Sequence, residues 1–258
     1  MRTARATRYV TPLREGGSLP AIVEADDDGL HVLKFRGAGQ GEKALVAEVI
    51  AAGLASALGL RVPELAVLEV DAALGRNEPD PEIRELLRRS VGPNLGVDYL
   101  PGSITFDPIA GPPPGEEEAS LVVAFDALVS NIDRTPRNPN LLVWHGRLWL
   151  IDHGAALWFS HAWAGAEAQV TSAFGMVKDH VLLPLAGALA GAGERLAAAL
   201  RPEVIAAAVA EVPDAWLAEP RFDGPDAHRA AFVDHLTRRL AAAPIFLAEA
   251  ERARAGLV

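Results

Sequence analysis

The sequence predicts an α+β protein in which residues 1–106 are rich in strands and residues 119–258 are mainly helical. Three observations carry this expectation. Short β-type runs flank an acidic turn near the N-terminus. Residues 107–118 hold four prolines, two glycines and three consecutive glutamates, the composition of a linker or mobile loop between two lobes. From about residue 175 onward Ala, Leu, Arg and Glu dominate, with Pro202, Pro213 and Pro220 near the breaks.

Taken in order, residues 21–25 and 30–35 read as two strands around Asp26-Asp27-Asp28-Gly29. Residues 44–58 follow, with Leu45, Val49, Ala52 and Ala55 on a period of about 3.6, which predicts an amphipathic helix. Gly59 closes it, because glycine tolerates the left-handed backbone of a helix C-terminus. Residues 63–70 and 95–99 are expected to be strands. Beyond the Pro-rich segment, residues 119–130 form an apolar helix. Residues 141–143 and 148–151 then flank His145-Gly146-Arg147 as a tight hairpin. Residues 181–200 are apolar but interrupted by Pro184, three glycines, Glu194 and Arg195, so a packed helical region is expected rather than a membrane span.

A chain of 258 residues can bury a sizeable core, and half of these residues are apolar. The net charge of -10 argues against broad binding to nucleic acid or to an anionic membrane, both of which need a basic face. The absence of cysteine excludes thiolate zinc sites, disulfides and thiol nucleophiles. Residues 1–8 are basic but lack a following apolar stretch, so no secretory signal is expected and the location is read as cytoplasmic.

The chemistry concentrates in Ser130-Asn131-Ile132-Asp133-Arg134-Thr135-Pro136-Arg137-Asn138-Pro139-Asn140 and in Ile151-Asp152-His153-Gly154 beyond the hairpin. Asp133 can accept a hydroxyl proton, while Asn138 and Asp152 can hold a metal bound to nucleotide phosphates. The same residues also suit a capped surface turn, and Asp152 weighs against that reading because a carboxylate ending a buried strand needs a cation or several donors. Lys34 lies mid-strand, either facing solvent like His31 and Arg36 or held by a carboxylate partner. Glu48, among apolar helix neighbours, is the candidate partner.

Lys34, Glu48, the Asn131-x-Asp133-Arg134-x3-Asn138 loop and Ile151-Asp152-His153-Gly154 together resemble the HipA-like kinase family across roughly residues 10–235. The order N-x-D-R, where conventional protein kinases have H-R-D, is the specific mark. Thr135-Pro136 after the Asp-Arg pair, His153 in the place of phenylalanine and the short chain point to compact relatives of the family's toxin. The resemblance implies a bilobal protein-kinase-like fold with a β-rich N-lobe, a Pro/Gly-rich loop at 107–118 and a mainly helical C-lobe. It implies ATP and Mg²⁺ as cofactors, with γ-phosphoryl transfer to a hydroxyl, Ser or Thr of a protein being the expected acceptor. Asp133 would be the catalytic base and Asn138 and Asp152 the metal ligands. Lys34 would hold the phosphates, with Glu48 orienting it. Gly16, Gly17 and Ser18 fall where a phosphate-covering loop belongs, although an ordinary hairpin fits them equally. Val97, Asp98 and Tyr99 would meet the adenine. Arg134 would neutralise the transferred group or pair with Asp152.

Two other readings stay open: a small-molecule phosphotransferase, and a nucleotide-binding interaction module without turnover. Other motifs fail on spacing. Gly37-x-Gly39-x-Gly41 lacks the third glycine of a dinucleotide fingerprint, and Gly41-Glu42-Lys43-Ala44 is no Walker loop. His145, His153 and His161 straddle a hairpin and a loop and are read as scattered histidines rather than a metal set. Trp144, Trp149, Trp158 and Trp163 are assigned to packing.

Overall fold

A computed structural model describes residues 1–13, 19–76 and 78–257. Gly16, Gly17 and Ser18 therefore lie outside the described residues. The chain divides into two compact units, residues 1–46 with 63–102, and residues 47–62 with 103–258.

Among the described residues of the first unit, β1 (Arg2–Pro12), β2 (Ala21–Ala25), β3 (Leu30–Lys34), β4 (Leu65–Val70) and β5 (Gly92–Asp98) close into a barrel of order β1-β2-β3-β5-β4. The long β1 closes it by serving two partners. Arg2 to Arg5 pair in parallel with Ala66 to Glu69, and from Ala6 onward β1 pairs antiparallel with β2. Register shifts at Ala6/Arg8 and Tyr9/Thr11 bend the strand where it changes partner. The interior is small and alternating: Ala4, Ala6, Ala21, Val23, Ala25, Leu33 and Leu68 are buried. A Cβ on Gly96 would lie 2.6 Å from Leu68, so β5 reaches its packing distance only with glycine there. His31 shares the inward phase with Leu33 and is fully buried against Asp27, which corrects its grouping with exposed strand residues.

Between β4 and β5 the sequence reading missed α2 (Pro81–Arg89). Its signals are conventional: Asp80 caps the Glu82 and Ile83 amides, Pro81 opens the helix, and Arg88 and Arg89 occupy the last turn.

Helix α1 (Glu42–Ala57) contributes its first turn to the first unit and the remainder to the second. It is buried almost all round from Leu45 to Ala55 rather than along one face, so the amphipathic expectation is corrected. Its Leu, Val, Ile and Ala residues leave no continuous polar side, the composition of an interior helix. In the second unit α3 (Glu116–Leu128) is a central helix in which every residue from Ala119 to Leu128 is buried. It starts three residues before the expected position because Glu116, Glu117 and Glu118 suit the positive end of a helix dipole. Helices α5 (Leu189–Ala199), α7 (Gly224–Ala241) and α8 (Ala243–Ala255) pack on it, and both the short α4 (Ala166–Val170) and α6 (Pro202–Ala210) pack on α7. Strands β6 (Ile104–Thr105), β7 (Leu141–Trp144) and β8 (Arg147–Leu150) form a separate sheet. The β7–β8 turn is of the type that requires two positive φ values, supplied by His145 at 48° and Gly146 at 69°. No described helix is long and apolar enough to cross a membrane.

His235, on α7, is buried and stacked on Phe159 at 3.5 Å between ring centroids. Burial first, then the charges of Arg239 and Arg238, push its pKa down from 6.5 to about 4, against Asp234 and Glu167, which raise it. The folded state thus refuses a proton that the unfolded chain accepts. Stability is complete above pH 6.5 and falls as the pH drops toward 4. The expected loss from this group is on the order of 2 kcal/mol. Urea midpoints at pH 7.5 and 4.5 check it: the difference between the two should shrink in His235→Gln.

Candidate active site

The catalytic-loop candidate begins where α3 ends. Ser130, at φ 53°, turns the chain out of the helix, and the Asn131 amide returns to the Asp126 carbonyl at 2.8 Å. Asn131 Oδ1 then accepts the Asp133 amide at 3.3 Å. Thr135 and Asn138 exchange backbone hydrogen bonds of 3.0 and 3.1 Å around Pro136-Arg137. This tight turn folds Asn138 back, so that its Nδ2 donates to Asp133 Oδ2 at 2.8 Å. Asn140 Nδ2 donates to the same oxygen at 3.3 Å. Two loop side chains, Asn138 and Asn140, therefore converge on the Asp133 carboxylate, and the spacing had selected Asp133 and Asn138.

The hairpin carries the second motif to this loop. Its register pairs Leu141 with Leu150, and the Ile151 amide donates to the Asn140 carbonyl at 3.1 Å. Asp152 follows at once, exposed and left-handed at φ 54°, a conformation that aspartate tolerates better than most residues. Residues eleven positions apart, Asn140 and Ile151, thus sit side by side. His153 is buried instead, with its ring 6.0 Å from Phe125 and its Nδ1 3.7 Å from Glu48 Oε1. Glu48 itself is buried in the part of α1 that belongs to this unit.

Beneath the loop lies a buried network. Asp126 is the one acidic residue in the buried stretch of α3, and its side chain accepts from Asn131 Nδ2 at 3.0 Å, Arg134 Nε at 2.5 Å and His180 Nε2 at 2.9 Å. His180 Nδ1 accepts the Leu182 amide at 3.0 Å, which leaves Nε2 as the proton-bearing nitrogen. Burial would raise the Asp126 pKa, but the Arg134 charge and the His180 hydrogen bond outweigh it and hold the carboxyl below the usual carboxylate range. Arg134 is fully buried and also donates to the Asn140 carbonyl. Its expected roles, neutralising the transferred group or pairing with Asp152, are corrected: its ion pair is with Asp126.

In the first unit, Lys34 ends β3 opposite Leu95 and is half-buried on the face opposite Leu33. Val97 is buried. The amides of Asp98 and Tyr99 donate to the carbonyls of Glu64 at 2.8 Å and Leu30 at 3.0 Å. His145 sits in the hairpin turn, His153 is buried and His161 stacks on Trp158 at 5.0 Å. Among the described residues no three His, Cys, Asp or Glu side chains gather as a metal cluster. Trp163 packs against Phe159, Phe222 and Phe232, whereas Trp158 is half exposed.

A family model described as HipA-like kinase matches residues 7–243. The chain belongs to the HipA-like kinase family. This HipA-like kinase is accordingly a phosphotransferase. Its fold is similar to that in the crystal structure of a Helicobacter pylori proinflammatory kinase, CtkA, with a TM-score of 0.59 and 11% identity over 97% of this chain and 98% of that one. It is also similar to the Golgi casein kinase crystallised with Mn and ADP, with a TM-score of 0.54 and 12% identity over 100% of this chain and 76% of that one. At such identities the likeness establishes the α+β kinase-like fold. No curated protein matches the sequence.

Sequence reasoning missed two residues of the buried network in this HipA-like kinase. Asp126 had a legible signal, a lone carboxylate in an apolar helix that must find a partner. His180 had none, because its partner lies 54 residues away in the chain.

Proposed function

We propose that this HipA-like kinase transfers the γ-phosphoryl group of ATP to a hydroxyl, with Ser or Thr of a protein as the acceptor. The observation that carries the reading is the Asp133 carboxylate, partly exposed, with Oδ2 held by the side-chain amides of Asn138 and Asn140. That arrangement leaves Oδ1 to take a proton. As the acceptor oxygen bonds to the γ-phosphorus, its proton passes to Asp133. The bond between the γ-phosphorus and its bridging oxygen breaks, and ADP leaves with the electron pair.

Asn138 and Asp152 suit Mg²⁺. Asn138 donates its Nδ2 to Asp133 and so turns Oδ1 toward cation binding, and Asp152 presents an exposed carboxylate at a strand end. Two oxygen donors are a normal protein contribution for this ion, which takes its other ligands from phosphates and water. When bound, Mg²⁺ neutralises charge on the phosphates. Lys34 is assigned to the nucleotide phosphates and Glu48 to orienting it, both on the family pattern. Because the Asp98 and Tyr99 amides are committed within the barrel, adenine recognition near Val97 is assigned to other groups of this strand end. A chain without cysteine suits the reducing cytoplasm, the compartment to which we assign it.

Calorimetric titration with an ATP analogue, with and without Mg²⁺, tests the nucleotide and metal roles. Wild type should bind more tightly with Mg²⁺, and Asp152→Ala should lose that gain of about tenfold or more. Wild-type binding indifferent to Mg²⁺ would refute the metal assignment. Labelled ATP added to protein and metabolite mixtures tests the acceptor: label recovered as phosphoserine or phosphothreonine is expected, and label confined to metabolites would refute a protein acceptor.

A further inference from the structure

Asp126 is a fully buried charge that the chemistry above does not use. A carboxylate at that depth is costly, and an apolar residue would serve helix packing as well. The side-chain groups donating to Asp126 come from the catalytic loop, Asn131 and Arg134, or from His180 beyond it. Arg134 carries the connection outward. Its guanidinium joins Asp126 to the Asn140 carbonyl, and that same carbonyl receives the Ile151 amide immediately before Asp152. The Asn140 side chain meanwhile donates to Asp133. Asn140 holds φ at 48°, so its carbonyl and its amide serve these two partners from one left-handed residue.

We infer that Asp126 is a positioning residue which, through Arg134 and Asn140, sets the placement of Asp133 and Asp152 together. The inference rests on the roles proposed for those two carboxylates. His180 brings the segment before Leu182 into the same network, since the Val181 amide also donates to the Arg134 carbonyl at 3.0 Å. The buried ion pair therefore acts on geometry: it gives the loop and the strand end one shared reference.

Two variants separate positioning from simple stabilisation. Asp126→Asn combined with Arg134→Met removes both buried charges at once, a change that cores often tolerate. Asn140→Gly keeps the positive φ and the backbone carbonyl while deleting only the amide side chain. The assay is ATP turnover with Mg²⁺, read as phosphate released to water or transferred to the chain itself, beside thermal unfolding of each variant. The double variant is expected to lose about a hundredfold in kcat, because catalytic groups displaced by an ångström lose that much, while its KM for ATP changes by less than about threefold. Asn140→Gly should lose roughly tenfold in kcat, also without a KM change. A kcat within about threefold of wild type in Asn140→Gly, or in a folded double variant, would overturn the inference. If the double variant does not fold, Asn140→Gly decides alone. Asp133→Ala runs in the same assay. Its turning over at the wild-type rate, or an inactive wild type, overturns the underlying roles and the inference with them, whereas loss confined to Asp133→Ala overturns only the inference.

Discussion

Replacing Asp133 by alanine is expected to reduce phosphoryl transfer by at least about a hundredfold, the usual contribution of a positioned general base. Its folded state should be nearly unaffected. Asp133 lies in a loop, and the groups that donate to its side chain are two amides, of which Asn138 is exposed and can turn to water. The unfolding midpoint should therefore move by no more than about 2 °C, the range of a surface substitution. Initial rates with labelled ATP and melting curves on the same preparation check both halves. Transfer at the wild-type rate would remove Asp133 from the mechanism.

The largest expected effect on stability belongs to Arg239, which is fully buried and, among the described residues, forms no ion pair with a carboxylate. Its guanidinium instead donates to carbonyls: Ala127 at 2.7 Å and Leu128 at 2.8 Å at the end of α3, and Gln169 at 2.6 Å, Val170 at 3.3 Å and Ser172 at 3.1 Å around another helix end. Carbonyls at a helix C-terminus have no partner within the helix and carry partial negative charge, so one cation here serves two helix ends. Burial lowers its pKa only to about 10, and it stays charged at neutral pH. The ring of Phe246 lies 5.0 Å from the guanidinium carbon. Arg239→Met keeps the stem but leaves these carbonyls without donors, at a cost of about 3–5 kcal/mol. For a chain of this size that corresponds to a fall of roughly 10 °C in the unfolding midpoint. Arg239→Lys should recover only part of it, because one ammonium cannot span both helix ends. A midpoint unchanged in Arg239→Met would show that water or backbone adjustment satisfies the carbonyls instead.

Much of the second unit was legible in the sequence. The hairpin follows from apolar runs on both sides of His145-Gly146, since few residue pairs accept two positive φ values. The polar loop from Asn131 to Asn140 stood out between two apolar segments, and its spacing selected Asp133 and Asn138. The first unit was harder to read. Barrel closure depends on the parallel pairing of Arg2–Arg5 with Ala66–Glu69, a match between segments some sixty residues apart that no local periodicity encodes. The inward phase of His31 was hidden for the same reason: alternation says that neighbours face opposite ways, but not which way is in.

By itself the sequence determined the chemical parts: an Asp, an Asn and a second Asp, with the N-x-D-R order that marks a HipA-like kinase and with turn residues around them. Local backbone preference suffices for that, because turns, caps and hairpins are decided within a few residues. Only the tertiary structure decided what Arg134 does. Charge alone left it free to serve the transferred group or Asp152. Burial beside Asp126, with His180 arriving from 54 residues away, committed it to holding the loop. A buried cation must sit where its carboxylate and carbonyl acceptors converge, and that point exists only once the chain has folded.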